Sequence, residues 1–392
     1  MTNEVLQKIA SDEQNISSSN GLEPSLRFKN FTKKWNSISL KEIGTFQKGA
    51  PLSKADISQE GNPFILYGEL YTTYSEVTYN VFRKTNKKVD KIYFSNVGDV
   101  ILPTSGETPE EIATATCIMI PDVILAGDLY IFRQNKIDGR ILSYIINHTV
   151  NGKISRIAQG KSVVHVRSEE LGKIIINYPT NDEQQKIADF LSLIDQRIEK
   201  QRQLVESLKK YKRGLFSYYF QKNKSYKIAR LGDFAKIYQP STISQSQFND
   251  GKYKVFGANG YIGNYDKYNH AVPQVTISCR GEKCGTVNFV DAYTWITGNS
   301  MVVNIDDQNE INKRYLYHCL SNQNLKYLVS GSAQPQIIRT DVARHSIPVP
   351  SIEFQEKLSF FLDSIEQKIK NEQTMEECLF DMKNALLQQM FI

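Results

Sequence analysis

No apolar run in this 392-residue chain approaches the ~18–20 residues that would span a bilayer. Met1 to Gly21 has no basic start followed by an apolar stretch, so neither a signal peptide nor a membrane is expected, and the expected location is the cytoplasm. Cysteine is scarce. Cys117, Cys279, Cys284, Cys319 and Cys378 are scattered and odd in number, which fits free thiols in a reducing compartment. Cys279 and Cys284, with His318-Cys319, are spaced too loosely for a structural metal site. A strong charge of one sign is also missing. The 48 Lys and Arg against 42 Asp and Glu leave +6, which excludes a histone-like tail and permits nucleic-acid binding without demanding it. With 40% hydrophobic and 23% charged residues, the chain is globular in composition and long enough for two or three domains.

Catalytic signatures are missing too. Asn62-Pro63-Phe64 lacks the second Pro of the loop that holds a target amine in adenine methyltransferases. Gly160-Lys161-Ser162 ends like a phosphate-binding loop, but Ser155 stands where that loop needs Gly. Phe256-Gly257-Ala258-Asn259-Gly260 reads as a turn rather than a cofactor loop. Glu366-Gln367-Lys368 has the letters of a nuclease motif but falls on an expected helix, as a solvated face. None of His148, His165, His270, His318 and His345 has a Cys or Ser at a telling spacing.

What is present is a repeat. Residues 35–181 and 231–350 are nearly neutral, at +1 and +2. Residues 182–230 carry +6 and residues 351–392 carry −4. The two charged segments read as helices. Ile187, Leu191, Ile194, Ile198, Val205, Leu208 and Leu215 recur at intervals set by three- and four-residue steps, as do Leu358, Leu362, Ile365, Ile369, Leu379 and Leu386. That spacing is a heptad seam, and the opposite charges suit antiparallel pairing. Pro179 and Pro350 precede the helices, with Asn181 or Asp182 and Ser351 as N-caps.

The helices align at an offset of 171: Gln184 with Gln355, Leu191 with Leu362, Gln196 with Gln367 and Lys212 with Lys383. Upstream, Trp35, Leu40 and Ile43 align with Tyr226, Leu231 and Phe234 at 191, so the second copy lacks about 20 residues. Such a duplication implies two quasi-equivalent units about a pseudo-two-fold axis. Between the helices the period changes. Short runs at Ile92–Phe94, Asp99–Leu102, Leu129–Phe132, Val275–Ile277, Val287–Val290 and Met301–Val303 read as strands. Helices are expected near Ile141–Thr149 and Arg314–Asn322. The expected fold is α+β: an N-terminal arm (1–34), a mixed α/β domain (35–180), a central helix (181–225), a second mixed domain (226–350) and a C-terminal helix (351–392).

The loops are rich in Tyr, Asn and Gly around Tyr253–Tyr265. They place cations at Ser278–Lys283 and amides at Gly298–Ser300 and Ser332–Gln336. Asn and Gln pair with adenine edges and Arg with guanine.

This order of parts resembles the specificity subunit of a type I restriction–modification system. The resemblance rests on the duplicated layout and on local phrases: Pro24-Ser-Leu-Arg-Phe28 with Phe31 and Trp35, Glu183-Gln-Gln-Lys-Ile187, Pro63-Phe-Ile-Leu-Tyr-Gly68, Phe256–Gly263 with Gly285-Thr-Val and Thr297-Gly-Asn, and Gly331-Ser-Ala-Gln-Pro335. It implies two target-recognition domains on double-stranded DNA, each reading one half of a gapped site. It implies helices that set the gap and recruit two modification subunits and the restriction subunits. It also implies that the chain is not itself catalytic, with S-adenosylmethionine, ATP and Mg on the partners and no cofactor or metal here. The DNA-contacting residues would be Tyr67, Glu69, Tyr71, Thr72, Thr104, Ser105, Glu107, Lys161 and Arg167 in the first domain. In the second they would be Asn259, Tyr261, Arg280, Lys283, Asn299, Gln334, Gln336 and Arg339. Gly68, Gly257 and Gly260 are turn formers. The competing reading is a coiled-coil scaffold whose domains bind ligands other than DNA.

Overall fold

A computed structural model describes residues 23–160, 163–222, 226–331 and 334–392. Contacts divide the chain into unit 1, which runs to Lys200 and includes Glu376–Ile392, and unit 2, Gln201–Met375. The long helices, Asn181–Lys222 and Ile352–Met390, each contribute to both units.

In unit 1 the strands are β1 (Asn36–Ser39), β2 (Gly44–Lys48), β3 (Asn62–Leu66), β4 (Val77–Thr78), β5 (Arg83–Thr85), β6 (Asp99–Pro103), β7 (Ser105–Gly106), β8 (Thr116–Ile118), β9 (Ile124–Ala126), β10 (Leu129–Gln134), β11 (Val164–His165) and β12 (Ile175–Tyr178). Unit 2 has β13 (Lys227–Arg230), β14 (Lys236–Tyr238), β15 (Tyr253–Phe256), β16 (Tyr261–Tyr265), β17 (Gln274–Ser278), β18 (Val287–Val290), β19 (Trp295–Ile296), β20 (Ser300–Asn304) and β21 (Ser346–Val349). The sheets of unit 1 run β2-β10-β6-β8-β4, β5-β3-β9, β1-β12 and β11-β7; those of unit 2 run β14-β20-β17-β18, β16-β15-β19 and β13-β21.

Each strand of unit 2 has a counterpart in unit 1 and the registers match, while β4 is extra in unit 1 and its β7-β11 pair is reduced in unit 2 to the bridge between Arg280 and Gln336. Phe46 faces Phe132 as Ile237 faces Val303, and Ile101 faces Ile131 as Thr276 faces Val302. The offset is thus 191 up to β3, 175 at β6 and 171 from β9 onward. The 20-residue difference falls in two places. Sixteen residues fall between β3 and β6, where unit 1 has two 3-10 turns and β4, and four between β6 and β9.

Central strands β6 and β17 are buried at every residue. Alternate side chains point to opposite faces, and in unit 1 both faces are covered. Val100, Leu102, Tyr130 and Phe132 join the core under helix Gly139–Ile145, whereas Ile101, Leu129 and Ile131 join a second core with Ile65 and Leu125. Strands buried on both faces read as continuous apolar runs, which is why these were legible. Ile92–Phe94 was expected to be a strand. Instead Lys91–Tyr93 is a single 3-10 turn, closed by Phe94 N donating to Lys91 O at 3.1 Å.

The helix seam does more than pair helices. Ile187, Leu191, Ile194 and Ile198 are buried in the core of unit 1, against which Leu379 and Leu386 also pack. Leu358 and Leu362 are buried in the core of unit 2. Val205, Ile365 and Ile369, with Leu208 and Leu215, form a separate apolar cluster. In each unit the matched Gln anchors its helix to the globular part. Gln184 Nε2 donates to Pro179 O at 2.9 Å while Asp138 N donates to Gln184 Oε1 at 2.7 Å. Gln355 Nε2 donates to Pro350 O at 2.9 Å while Asn312 N donates to Gln355 Oε1, also at 2.9 Å.

The matched lysines are equivalent too. Lys212 Nζ meets Glu366 Oε2 at 2.7 Å in unit 2, and Lys383 Nζ meets Asp195 Oδ1 at 2.7 Å in unit 1. Each lysine comes from one long helix and each acid from the other; within unit 2, Gln201 meets Glu372 and Lys212 meets Glu366, so the helix segments there run antiparallel. The +6 segment supplies only the first of these lysines; the second comes from the acidic helix, so local geometry rather than net charge sets the pairing. The described part of the arm, from residue 23 onward, is tied down in unit 1. Arg27 forks onto the buried Glu183 at 2.6 and 2.8 Å, Phe28 packs edge-on to Phe190, and Leu26 N donates to Gln389 O.

Candidate nucleic-acid interface

Both units end their central strands in the same backbone frame. In unit 1 Thr104 N donates to Asp128 O at 2.8 Å and Val166 N to Thr104 O at 3.2 Å. Ser105 bridges His165, which exchanges two backbone bonds with Gln159. In unit 2 Cys279 N donates to Asn299 O at 3.0 Å and Ile337 N to Cys279 O at 3.1 Å. Arg280 bridges Gln336, which exchanges two backbone bonds with Ser330. Thr104, Ser105, Asp128 and His165 therefore occupy the positions of Cys279, Arg280, Asn299 and Gln336.

A third loop joins each frame, after β3 and after β15. In unit 2 it is tied to the strand ends. Ser300 Oγ donates to Gly257 O and Ala258 O at 2.8 and 3.1 Å, and Ser278 Oγ donates to Ala258 O. Gly257 N donates to Gly260 O, closing the turn. Asn259 Oδ1 is buried there with no partner. Such an unpaired acceptor costs roughly 1–3 kcal/mol until a donor reaches it. Arg280 and Lys283 stand exposed on the turn after β17. Gly281 supplies that turn's positive φ of 84°, which a side chain would strain, and its N donates to Pro335 O. Gln334, Gln336 and Arg339 are exposed on the adjoining loop. Tyr261 faces elsewhere: its hydroxyl donates to Asp291 at 2.9 Å and its ring lies under Lys254.

In unit 1 the frame borders a cleft of about 970 Å³ lined by Tyr67, Glu69, Tyr71, Thr72, Thr104 and Glu107, all singled out from the sequence, with Lys48, Lys54, Arg83 and Asp128. Thr72 Oγ1 donates to Gly68 O at 2.8 Å and so shapes the loop. Burial, then the Glu111 carboxylate, pushes the Tyr71 phenol above its usual range and keeps it a hydrogen-bond donor. Two expectations are corrected. Glu69 is 4% exposed, with one oxygen taken by Leu66 N and the other by Arg83 Nε at 2.8 Å, so it holds the cleft wall rather than reaching from it. Ser105 is 3% exposed and its hydroxyl donates to Asp128 Oδ2 at 3.2 Å. Arg167 is exposed before the short helix Ser168–Gly172. Lys161 lies outside the described residues, as do Ser332 and Ala333.

Asp128, His165, Lys48 and Lys54 were missed by the sequence reading. Asp128 and His165 were within reach, since the 171 offset maps them onto Asn299 and Gln336, both of which were chosen.

Away from these loops, Glu366 is not a solvated helix residue. It binds Lys212 and accepts from the Tyr317 hydroxyl at 2.7 Å, and His318 Nδ1 lies 3.7 Å away. Among the described residues, His318, Asp363 and Glu366 are the one group of side chains close enough to hold a metal, and Arg314 and Lys212 already neutralise the two carboxylates. The four other cysteines are buried and only Cys378 is exposed. No helix among the described residues is long and apolar enough to cross a membrane.

The arrangement defines a duplicated recognition protein: two copies of one α/β frame, each presenting a different set of polar loop side chains and each gripped by two long helices. The model of the type I restriction modification DNA specificity domain matches residues 32–210 and 223–379, and the chain belongs to that family. It is 25% identical over 296 residues to the type I restriction enzyme MjaIX specificity subunit of Methanocaldococcus jannaschii, covering 64% of this chain and 68% of that one. It is 28% identical over 141 residues to the EcoprrI specificity subunit of Escherichia coli, about 35% of either chain. The crystal structure of a type I restriction–modification S subunit from M. genitalium shares the fold, with a TM-score of 0.63, 17% identity and coverage of 95% of this chain and 99% of that one.

Proposed function

We propose that this chain is the non-catalytic, sequence-reading subunit of a type I restriction–modification assembly. Each unit reads one half of a bipartite site on double-stranded DNA through the loops of its strand-end frame. The long helices set the unread gap and recruit two modification subunits, and restriction subunits join for cleavage. S-adenosylmethionine, ATP and Mg belong to those partners. The observation that carries the reading is the equivalence of the two frames. Identical backbone bonds hold Ser105, Asp128 and His165 in one copy and Arg280, Asn299 and Gln336 in the other. A duplicated scaffold with unlike side chains at matched positions suits the reading of two unlike half-sites.

The near neutrality of both domains, +1 and +2, supports a small counterion-release contribution, so tight binding needs phosphate contacts from partners. The test is co-expression with cognate modification subunits. A complex of one chain with two partners should methylate adenine at a gapped site. A stable complex that methylates nothing refutes the proposal, and so does nanomolar, salt-insensitive DNA binding by this chain alone for the division of contacts.

A further inference from the structure

The matched frames present opposite charge. At one position unit 2 offers Arg280 and unit 1 the buried Ser105; at a second, unit 2 offers Asn299 and unit 1 the exposed Asp128. The Arg280 backbone is held from both sides, by Gln336 through the bridge and by Pro335 through Gly281 N, while its guanidinium makes no ion pair or hydrogen bond among the described residues. A fork on a fixed turn, with no partner among the described residues, fits the two acceptors of a guanine major-groove edge and no other single base as well. Asp128 is the reverse case. Ser105 donates to its Oδ2 and orients the carboxylate, and Oδ1 has no partner among the described residues. An ionised carboxylate accepts only, so it selects a base that presents an exocyclic amine and repels an edge made of acceptors.

We infer that the half-site read by unit 2 contains a guanine recognised by Arg280, and that Asp128 accepts from the exocyclic major-groove amine of one base pair in the half-site read by unit 1. The inference rests on the DNA-reading function proposed above and deepens it, because it assigns base chemistry to each half.

The test uses the full complex with its modification subunits on a plasmid library with randomised sites, read by sequencing of methylated adenines. The wild-type motif should hold an invariant guanine in at least one half, and the half altered by the Arg280 variants identifies the one that unit 2 reads. Arg280→Gln should reduce discrimination at that guanine by about 10-fold or more and leave the other half unchanged. Arg280→Lys should do the same, since it keeps the charge and loses the fork. Asp128→Asn should relax one position of the other half only, and a variant that leaves that half unchanged overturns the Asp128 assignment. Arg280 and Asp128 are exposed, so each variant should melt with wild type; a variant that does not is replaced by Arg280→Met or Asp128→Ser. A motif without such a guanine overturns the inference, as does an Arg280 variant that alters both halves or neither. Failure of the underlying function looks different: the wild-type complex then methylates no defined site.

Discussion

Replacing Lys383 by Met should destabilise unit 1 by about 3 kcal/mol at neutral pH. The Lys383 side chain is 5% exposed, and its ammonium lies 2.8 Å from Glu76 and 2.7 Å from Asp195, which are 15% and 25% exposed. Met keeps the length of the stem and removes only the charge. It leaves two partly buried carboxylates without their shared cation, and breaking a buried pair from one side costs roughly 3–5 kcal/mol. The Glu76 carboxyl carries the pH dependence. Burial alone would raise the Glu76 carboxyl, but the His148 hydrogen bond and the Lys383 charge outweigh it and bring it from 4.5 down to about 2. That depression stabilises the folded state, and Lys383→Met removes the lysine's part of it while His148 keeps its own. Because the folded value is depressed, this stability is fully present above pH 4.5 and is lost as pH falls toward 2. Hydrogen exchange on the full chain reads the unit-1 core directly, without assuming that the two units unfold together. The gap between wild type and Lys383→Met should be about 3 kcal/mol at pH 7 and narrow by roughly half or more by pH 3. A gap under ~0.5 kcal/mol at pH 7, or one that does not change with pH, would refute the reasoning.

Other outcomes follow from the same structure. Gln355→Ala strips Asn312 N and Pro350 O of their partner and should cost unit 2 roughly 1–3 kcal/mol, read as lost protection in helix Lys313–Ser321, while Gln184→Ala does the same around Asp138 in unit 1. Leu208→Asp and Leu379→Asp each place a charge against an apolar cluster and should cost several kcal/mol, with methylation of all sites impaired rather than of one half-site. Burial, then the Lys212 charge, lowers His318 to about 4, so its ring should stay neutral in an NMR titration until pH falls below ~5; a midpoint near 6.5 would contradict the site. Arg27→Ala leaves Glu183 buried without its fork, and limited proteolysis should cut near residue 30 faster in that variant than in wild type.

Some of these features were legible because they obey one period or one offset. The seam leucines and isoleucines repeat every three or four residues, which is the geometry of a helix face, and both helices formed. Lys212 with Lys383 and Gln184 with Gln355 stood out as matched letters. Their duties did not: the glutamines need Asp138 and Asn312, more than forty residues away in sequence. The strand runs were readable where both faces are buried. Lys91–Tyr93 misled because three apolar letters do not separate a strand from a 3-10 turn. Glu69 was chosen for its place in a polar loop, and only Arg83, folded back across the cleft by β5, reveals it as a wall.

By itself the sequence determined the duplication, the two long helices, the absence of a catalytic signature and the loops in which polar side chains gather. Periodicity and repetition are one-dimensional, so a chain displays them before it folds. The tertiary structure alone decided that the seam residues also close two globular cores, and that the 20-residue difference falls in two places. It also decided that Ser105 is buried while its counterpart Arg280 is exposed. Those facts depend on which strand ends meet in space, and backbone bonds between residues sixty apart, such as Thr104 to Val166 and Cys279 to Ile337, decide that rather than any local preference.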